Sequence, residues 1–249
     1  MNRQQGPKIN SLPALIFWTA MWYLAARLFD NPLLLPGPGR VLRCLGELAM
    51  TAEFWQITAV FICRILLGVG CAIGLGTALA VLTAKSRLLN LLTAPAMTAM
   101  QATPVASFTI LVLIWVNRDY LPALICAMMG LPIVWNSVGS GIRMTDPQLL
   151  EMAKVYRLSP FRVLRRIYVP SVMPFFRTAC SSALGLGWKA GIAAEVLTVP
   201  KRSMGRMISE SKLYLMTEEL FAWTLAVIIL SLLLQRIMLR LLKGRDGRA

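Results

Sequence analysis

The sequence contains no histidine. That absence removes His-based nucleophilic triads, HExxH metalloprotease chemistry and His-ligated haem at once. It also lacks any GxxxxGK[ST] run, the loop whose backbone amides cradle nucleotide phosphates, so the chain is not expected to hydrolyse ATP itself. Charge is scarce: Asp, Glu, Lys and Arg make up 15% of residues, against about 25% in ordinary soluble domains. The five cysteines, Cys44, Cys63, Cys71, Cys126 and Cys180, include no CxxC pair, and four of them fall in apolar stretches. There a free thiol behaves as a small hydrophobe, so neither a disulfide framework nor a metal site is expected.

What remains is apolar. Hydrophobic residues are 57% of the chain, and the mean hydropathy is +0.65. Val69–Thr83 and Thr224–Leu234 carry no ionised residue at all. A helix in a soluble protein needs a polar face, and these have almost none, so the solvent they fit is a bilayer. The expected fold class is an all-α integral membrane protein, with the whole of 1–249 as one transmembrane domain. A span takes about 20 apolar residues. Six candidates are long enough: Ser11–Phe29, Ile57–Ala84, Leu91–Val116, Tyr120–Gly139, Val172–Leu197 and Leu220–Leu242. The first ends in Ala25-Ala26-Arg27-Leu28-Phe29 and runs on into Asn31-Pro32, a poor signal-peptide pattern, and is read as a retained helix.

The net charge of +15 could suggest a nucleic-acid partner. The basic residues lie mostly between the apolar spans, where Lys and Arg set the orientation of membrane proteins. Lipid, not nucleic acid, is therefore the expected partner. With both termini in the cytoplasm, sixteen Lys and Arg fall inside and eight outside, with Arg64 and Lys189 within spans. The chain is thus predicted to be a multi-pass protein with cytoplasmic termini.

Two connections are long. The first, residues 30–56, is predicted to lie outside; it holds Pro36-Gly37-Pro38-Gly39 and then an amphipathic run, Val41–Leu48, that suggests a short surface helix. The second, residues 141–171, is cytoplasmic on this topology and basic. Asp146-Pro147 reads as a helix start, with the acid as cap and proline at the first helical position. Leu158-Ser159-Pro160 interrupts that helix, Ser159-Pro160 caps another, and Pro170 is expected to end it. Two short helices meeting at a bend are predicted, with Glu151 paired to Lys154 or Arg165 and with Leu158 and Phe161 as the apolar residues at the turn.

Glu151-Met152-Ala153, Arg157, Ile167 and Pro170 resemble the EAA loop of ABC importer permeases. That loop reads E-A-A, three residues, G, nine residues, I, one residue, L-P. Met152 departs from the second alanine, Val169 from the leucine, and Arg157 stands where glycine is usual. Glycine there permits close approach or a bend with positive φ. The resemblance implies that Glu151, Met152, Ala153, Arg157, Leu158, Ser159, Pro160, Phe161, Ile167 and Pro170 form a coupling helix docking on a cytoplasmic ABC ATPase, which binds the ATP. It implies an extracytoplasmic solute-binding protein, a permease homodimer and a bacterial inner-membrane location. Further motifs look like the nitrate, sulfonate and taurine branch: Leu35-Pro36-Gly37-Pro38, Pro95 and Pro104, Ala193-Ala194-Glu195, Ser203-Met204-Gly205, Glu218-Glu219 and Phe221-Ala222-Trp223-Thr224. The likeness runs from about Pro32 to Leu242. It implies a small organic or inorganic anion such as a sulfonate or nitrate, although the branch also includes importers of thiamine-precursor pyrimidines.

Three residues of the fifth span are candidates for the solute path: Trp188, Lys189 and Glu195. Ionisable groups inside a membrane default to function. Lys189 would line a cavity facing an anion, or pair to hold helices together; Glu195, near the outer end, is either functional or interfacial. Arg64 lies close enough to the outer surface to snorkel. Gly70-x3-Gly74 and Gly187-x3-Gly191 allow close helix approach, within the chain or at a seam between two copies. Trp18, Trp22, Tyr23, Trp115, Trp135 and Trp223 are read as interfacial anchors. The competing classes are an ion-coupled carrier, against which the lack of inverted repeats weighs, and a membrane scaffold without transport.

Overall fold

The computed structural model describes residues 11–29, 31 and 33–243, and no strand occurs among them. Asp30 and Pro32 of the first long connection lie outside the described residues, as do Arg3, Lys8, Arg245 and Arg248 of the charge count. The helices are α1 (Ser11–Phe29), α2 (Pro38–Ala49), α3 (Ala52–Lys85), α4 (Arg87–Ala102), α5 (Val105–Val112), α6 (Leu121–Arg143) and α7 (Pro147–Val155). They continue with α8 (Pro160–Val163), a π-helical turn (Leu164–Tyr168), α9 (Val169–Thr198), α10 (Met204–Leu213) and α11 (Thr217–Lys243).

Every predicted span is helical, but not every one is a single rod. By length and composition α3, α6 and Thr217–Leu241 of α11 are apolar enough to cross a membrane, and Pro13–Phe29 is a shorter apolar helix. At 34 residues, α3 is about 50 Å long and exceeds a hydrocarbon core of roughly 30 Å. The third predicted span, Leu91–Val116, is broken into α4 and α5. Pro104 disfavours helical geometry in the residue before it, and Thr103 is accordingly extended, at ψ 125°.

The chain groups into two compact units: Met1–Trp55 with Met207–Ala226, and Gln56–Arg206 with Val227–Ala249. In the first, the predicted surface helix is α2, with proline at its start and Val41 buried. Arg40 pairs with Glu218 at 3.5 Å, and the Thr217 hydroxyl donates to the Leu33 carbonyl at 2.7 Å. Trp22 stacks on Phe221, and Trp223 is buried against Phe54. Trp223 is therefore a packing residue rather than an anchor, while Trp18, Tyr23 and Trp115 are exposed as expected. Cys44 lines a cleft with Arg40, Arg43, Glu47 and Glu219. Burial, then the Glu219, Glu218 and Glu47 carboxylates, pushes its thiol pKa up, which keeps it protonated and unreactive.

In the second unit the most extensive helix pairing is α6 against α9. Val112, Leu121, Ile125, Met129, Ala190 and Ala194 form one cluster, and Ala80, Val134, Val138, Ala179 and Ala183 another. Small residues at these contacts let backbones approach without a hydrophobic driving force, as lipid-facing helices require. A side chain at Gly191 would strike Ile65 and Cys126, so Gly187-x3-Gly191 packs within the chain. Gly70 and Gly74 face open space instead; on α3 the close approaches are made by Gly68 and Gly76. Trp135 donates to the Thr83 hydroxyl at 2.9 Å and ties α6 to α3, a bridging role that the anchor reading missed.

Candidate functional site

The predicted bend in residues 141–171 is present. Asp146 caps α7, its carboxylate accepting from the Gln148 amide at 2.9 Å, with Pro147 at the first turn. Ala153 and Ile167 are buried and anchor the segment, whereas Glu151, Met152, Arg157, Ser159, Pro160 and Pro170 are exposed. The apolar side chains Val155, Tyr156 and Leu164 also face outward, and Phe161 is 68% exposed. Leu158 is half-buried. Such a run of exposed large apolar side chains on a short polar-flanked segment is the kind of patch that a protein or membrane contact covers. Leu158, Pro160, Phe161 and Leu164 line a groove of about 900 Å³ whose other walls come from α3, α6 and α9, with Lys85 as its only charged lining residue. Glu151 makes no ion pair among the described residues, correcting the expected pairing with Lys154 or Arg165. At this exposure such a pair gains too little to hold two solvated side chains.

Arg157 explains the bend. It has φ 47°, in the left-handed region. Its amide donates to Lys154 O at 3.0 Å and the Leu158 amide to Ala153 O at 2.9 Å. These two bonds satisfy the last carbonyls of α7 in the arrangement that usually ends on glycine. Arg157, at the position that resembles the glycine of the EAA loop, thus holds a positive φ, which arginine adopts at a cost of about 1–2 kcal/mol. Arg157→Gly is expected to slow hydrogen exchange of the Arg157 and Leu158 amides by about fivefold, the equivalent of roughly 1 kcal/mol. Arg157→Ala retains the penalty and is expected to give no protection; equal protection in the two variants would show the bend to be unstrained.

Pro170 does not end the second short helix, as the sequence predicts. The Val169 amide donates five residues back to Leu164 O, and the chain passes through the π turn into α9 without interruption. Proline lacks an amide and its ring crowds the carbonyl four residues earlier. The wider π turn just before it takes up that mismatch. Residues 160–198 therefore form one helical rod, about 58 Å long, from Phe161 at one end to Glu195 near the other.

Along that rod the three candidate path residues separate. Trp188 is buried edge-on against Phe61, with centroids 4.8 Å apart, and its indole N–H has no hydrogen-bond partner among the described residues. Glu195 is buried as well, so neither side chain offers a surface to a solute in this conformation. Lys189 is exposed and makes no ion pair among the described residues. It shares with Thr178, Ser182 and Leu186 the exposed strip of a helix whose other faces are largely covered.

Glu195, with its side chain 0% exposed, meets Arg64, 13% exposed, at 3.0 Å. Arg64 therefore does not snorkel; it turns inward to a carboxylate 131 positions away. The second Glu195 oxygen accepts from the Gly205 amide at 3.1 Å. Arg64 also donates to Lys201 O at 3.0 Å and reaches Asp119, 38% exposed, at 3.4 Å. Asp119 in turn accepts from the Lys201 amide at 3.0 Å. Asp119 and Lys201 were given no role from the sequence, and Gly205 entered it only as part of a family-like motif. The signal available was an unpaired acid and an unpaired base in two spans, each of which had to find a partner on another element.

Residues 70–245, more than half of the chain, match the model of a family described as binding-protein-dependent transport system inner membrane component. The taurine transport system permease protein TauC of Escherichia coli is 25% identical over 242 residues, covering 94% of this chain and 86% of that protein. The putative aliphatic sulfonates transport permease protein SsuC of Bacillus subtilis is 25% identical over 214 residues, covering 85% and 76%. The bicarbonate transport system permease protein CmpB of Synechococcus elongatus is 25% identical over 146 residues, covering 58% and 52%.

Proposed function

This chain belongs to the family of binding-protein-dependent transport system inner membrane components, and from that premise we propose that it conducts a small anion, of the sulfonate or nitrate class, past Lys189. It is a permease subunit of an ATP-driven ABC importer, a multi-pass membrane protein and not an ATPase; membership removes the ion-coupled carrier and the scaffold. The observation that carries the solute class is the unpaired, exposed Lys189 on the strip of α9 that also bears Thr178 and Ser182. A cation at membrane depth costs about 2.5–3.5 kcal/mol unless it faces water or a partner. Nothing in the described residues pairs with it, so a water-filled path with an anion in transit accounts for it. The names of the similar permeases, for taurine, aliphatic sulfonates and bicarbonate, agree with an anion.

In this reading two copies of the chain enclose the path. An ABC ATPase docks in the cytoplasm on the bend around Phe161, and a binding protein delivers solute to the opposite face. Both termini are cytoplasmic, following the excess of Lys and Arg on that side. ATP-driven movement of the bend is carried by the continuous rod of residues 160–198 to the strip bearing Lys189, and the path alternates its access.

The test is uptake of radiolabelled taurine, an alkanesulfonate, nitrate and bicarbonate into proteoliposomes holding the permease with its ATPase. Uptake of at least one of these anions is expected, and only with ATP on the face that carries Phe161 and binding protein on the other. Uptake of none of them, while a neutral pyrimidine is transported, would overturn the anion assignment. A requirement for ATP and binding protein on one face would overturn the orientation.

A further inference from the structure

The charged cluster around Glu195 lies at the end of α9 remote from Phe161, where the solute reading gives it no task. Three separate elements converge there: Arg64 from α3, Asp119 from the turn before α6, and Glu195 from α9. Together they grip the short loop between α9 and α10 and the first turn of α10. Arg64 holds that loop by the Lys201 carbonyl, Asp119 holds it by the Lys201 amide, and Glu195 holds it by the Gly205 amide. Gly205 belongs to the grip, because a Cβ there would overlap the backbone of Glu195 and Val196. On either side of Lys201 the backbone is strained. Val199 and Arg202 both have φ 48°, and a β-branched residue in that region is rare. Strain of this kind persists only where surrounding contacts impose it, and it is concentrated at clamps and switches. The clamp combines directional ionic bonds with close packing, since Glu195, Ser203 and Met204 are fully buried, while Asp119 is 38% exposed at its rim. Because they share Arg64, Asp119 and Lys201, these bonds form one connected network whose members strengthen one another.

We propose that Arg64, Asp119 and Glu195 are positioning residues forming a latch on loop 199–205, closed in this structure and opened once in each transport cycle when loaded binding protein engages that end of the chain. The proposal rests on the importer reading above and adds to it. Opening releases the strain at Val199 and Arg202 and frees the end of the rod whose other end carries Phe161. Occupancy at one face is thereby reported to the ATPase at the other. A brace that only maintains the fold would have no such requirement to open.

Two measurements on the reconstituted permease–ATPase complex separate latch from brace. Glu195→Gln keeps the shape and the Gly205 contact but removes the charge that draws Arg64. It is expected to retain the ATPase while hydrolysis without binding protein rises at least fivefold and stimulation by loaded binding protein is largely lost. Glu195→Asp is expected to recover part of the stimulation. Retained assembly with basal and stimulated rates both unchanged would overturn the latch. The second measurement does not depend on how well those variants fold. Asp119→Cys with Lys201→Cys puts one thiol on each of the two residues that the bond from the Lys201 backbone amide to the Asp119 carboxylate now joins. Oxidation is expected to cross-link the nucleotide-free complex and cut uptake at least tenfold, with recovery in dithiothreitol. Full uptake by the cross-linked form, or no cross-linking at all, would overturn the proposal. Absence of ATP-driven uptake by the unmodified complex would instead count against the importer reading, which keeps the two failures apart.

Discussion

Phe161→Ala is expected to weaken retention of the ATPase on a tagged permease by about thirtyfold. The phenyl ring projects from the first turn of α8, just beyond the exposed Ser159-Pro160 corner, and is mostly bare in the isolated chain. Truncating a buried interface aromatic typically costs about 2 kcal/mol or more, and each 1.4 kcal/mol is about tenfold in affinity. Insertion and helix content are expected to be unchanged, because Phe161 contributes no intrachain packing comparable to that of Ala153 or Ile167. ATP-driven uptake is expected to fall with retention. If retention and uptake are both unaffected, the apolar bend is not the ATPase contact, and the basic residues beside it serve only to fix topology.

Lys189→Met is expected to reduce anion uptake at least tenfold while the permease still assembles with its ATPase. Methionine keeps the length and flexibility of the stem and removes only the charge. Lys189→Arg is expected to preserve part of the rate, since the charge remains but on a broader, more weakly hydrated head. Because the neighbours Trp188 and Ala190 are buried and Lys189 is not, the substitution is not expected to disturb the α6–α9 contact. A Met variant that transports at the normal rate would remove the path assignment and leave the solute class resting on resemblance to other permeases.

Much of the bend at residues 146–170 was legible in one dimension. The Asp146-Pro147 start is set by the cap and the proline themselves, and spacing alone located Arg157 at a position where glycine is usual. Pro170 misled because the rule that proline stops a helix assumes an α-helical preceding turn, and the preceding turn is π-helical. Glu151 misled for a different reason: helical spacing to Lys154 supplies proximity but not enough energy to immobilise exposed chains. The Arg64–Glu195 pair was out of reach because nothing local distinguishes a span's arginine that snorkels from one that turns inward.

The sequence by itself determined the solvent of this protein, its helical class, the approximate place of its long apolar helices and the helix start at Asp146. Each is fixed by composition or by interactions within a few residues. Only the tertiary structure decided which glycines are covered, that Trp188 and Glu195 are packed while Lys189 is exposed, and that Gly205 meets Glu195. The physical reason is the bilayer. A soluble helix advertises its buried face by an apolar stripe, but a membrane helix is apolar all round. Its packed side is selected by the shape and hydrogen bonds of its neighbours, and those neighbours are distant in the chain.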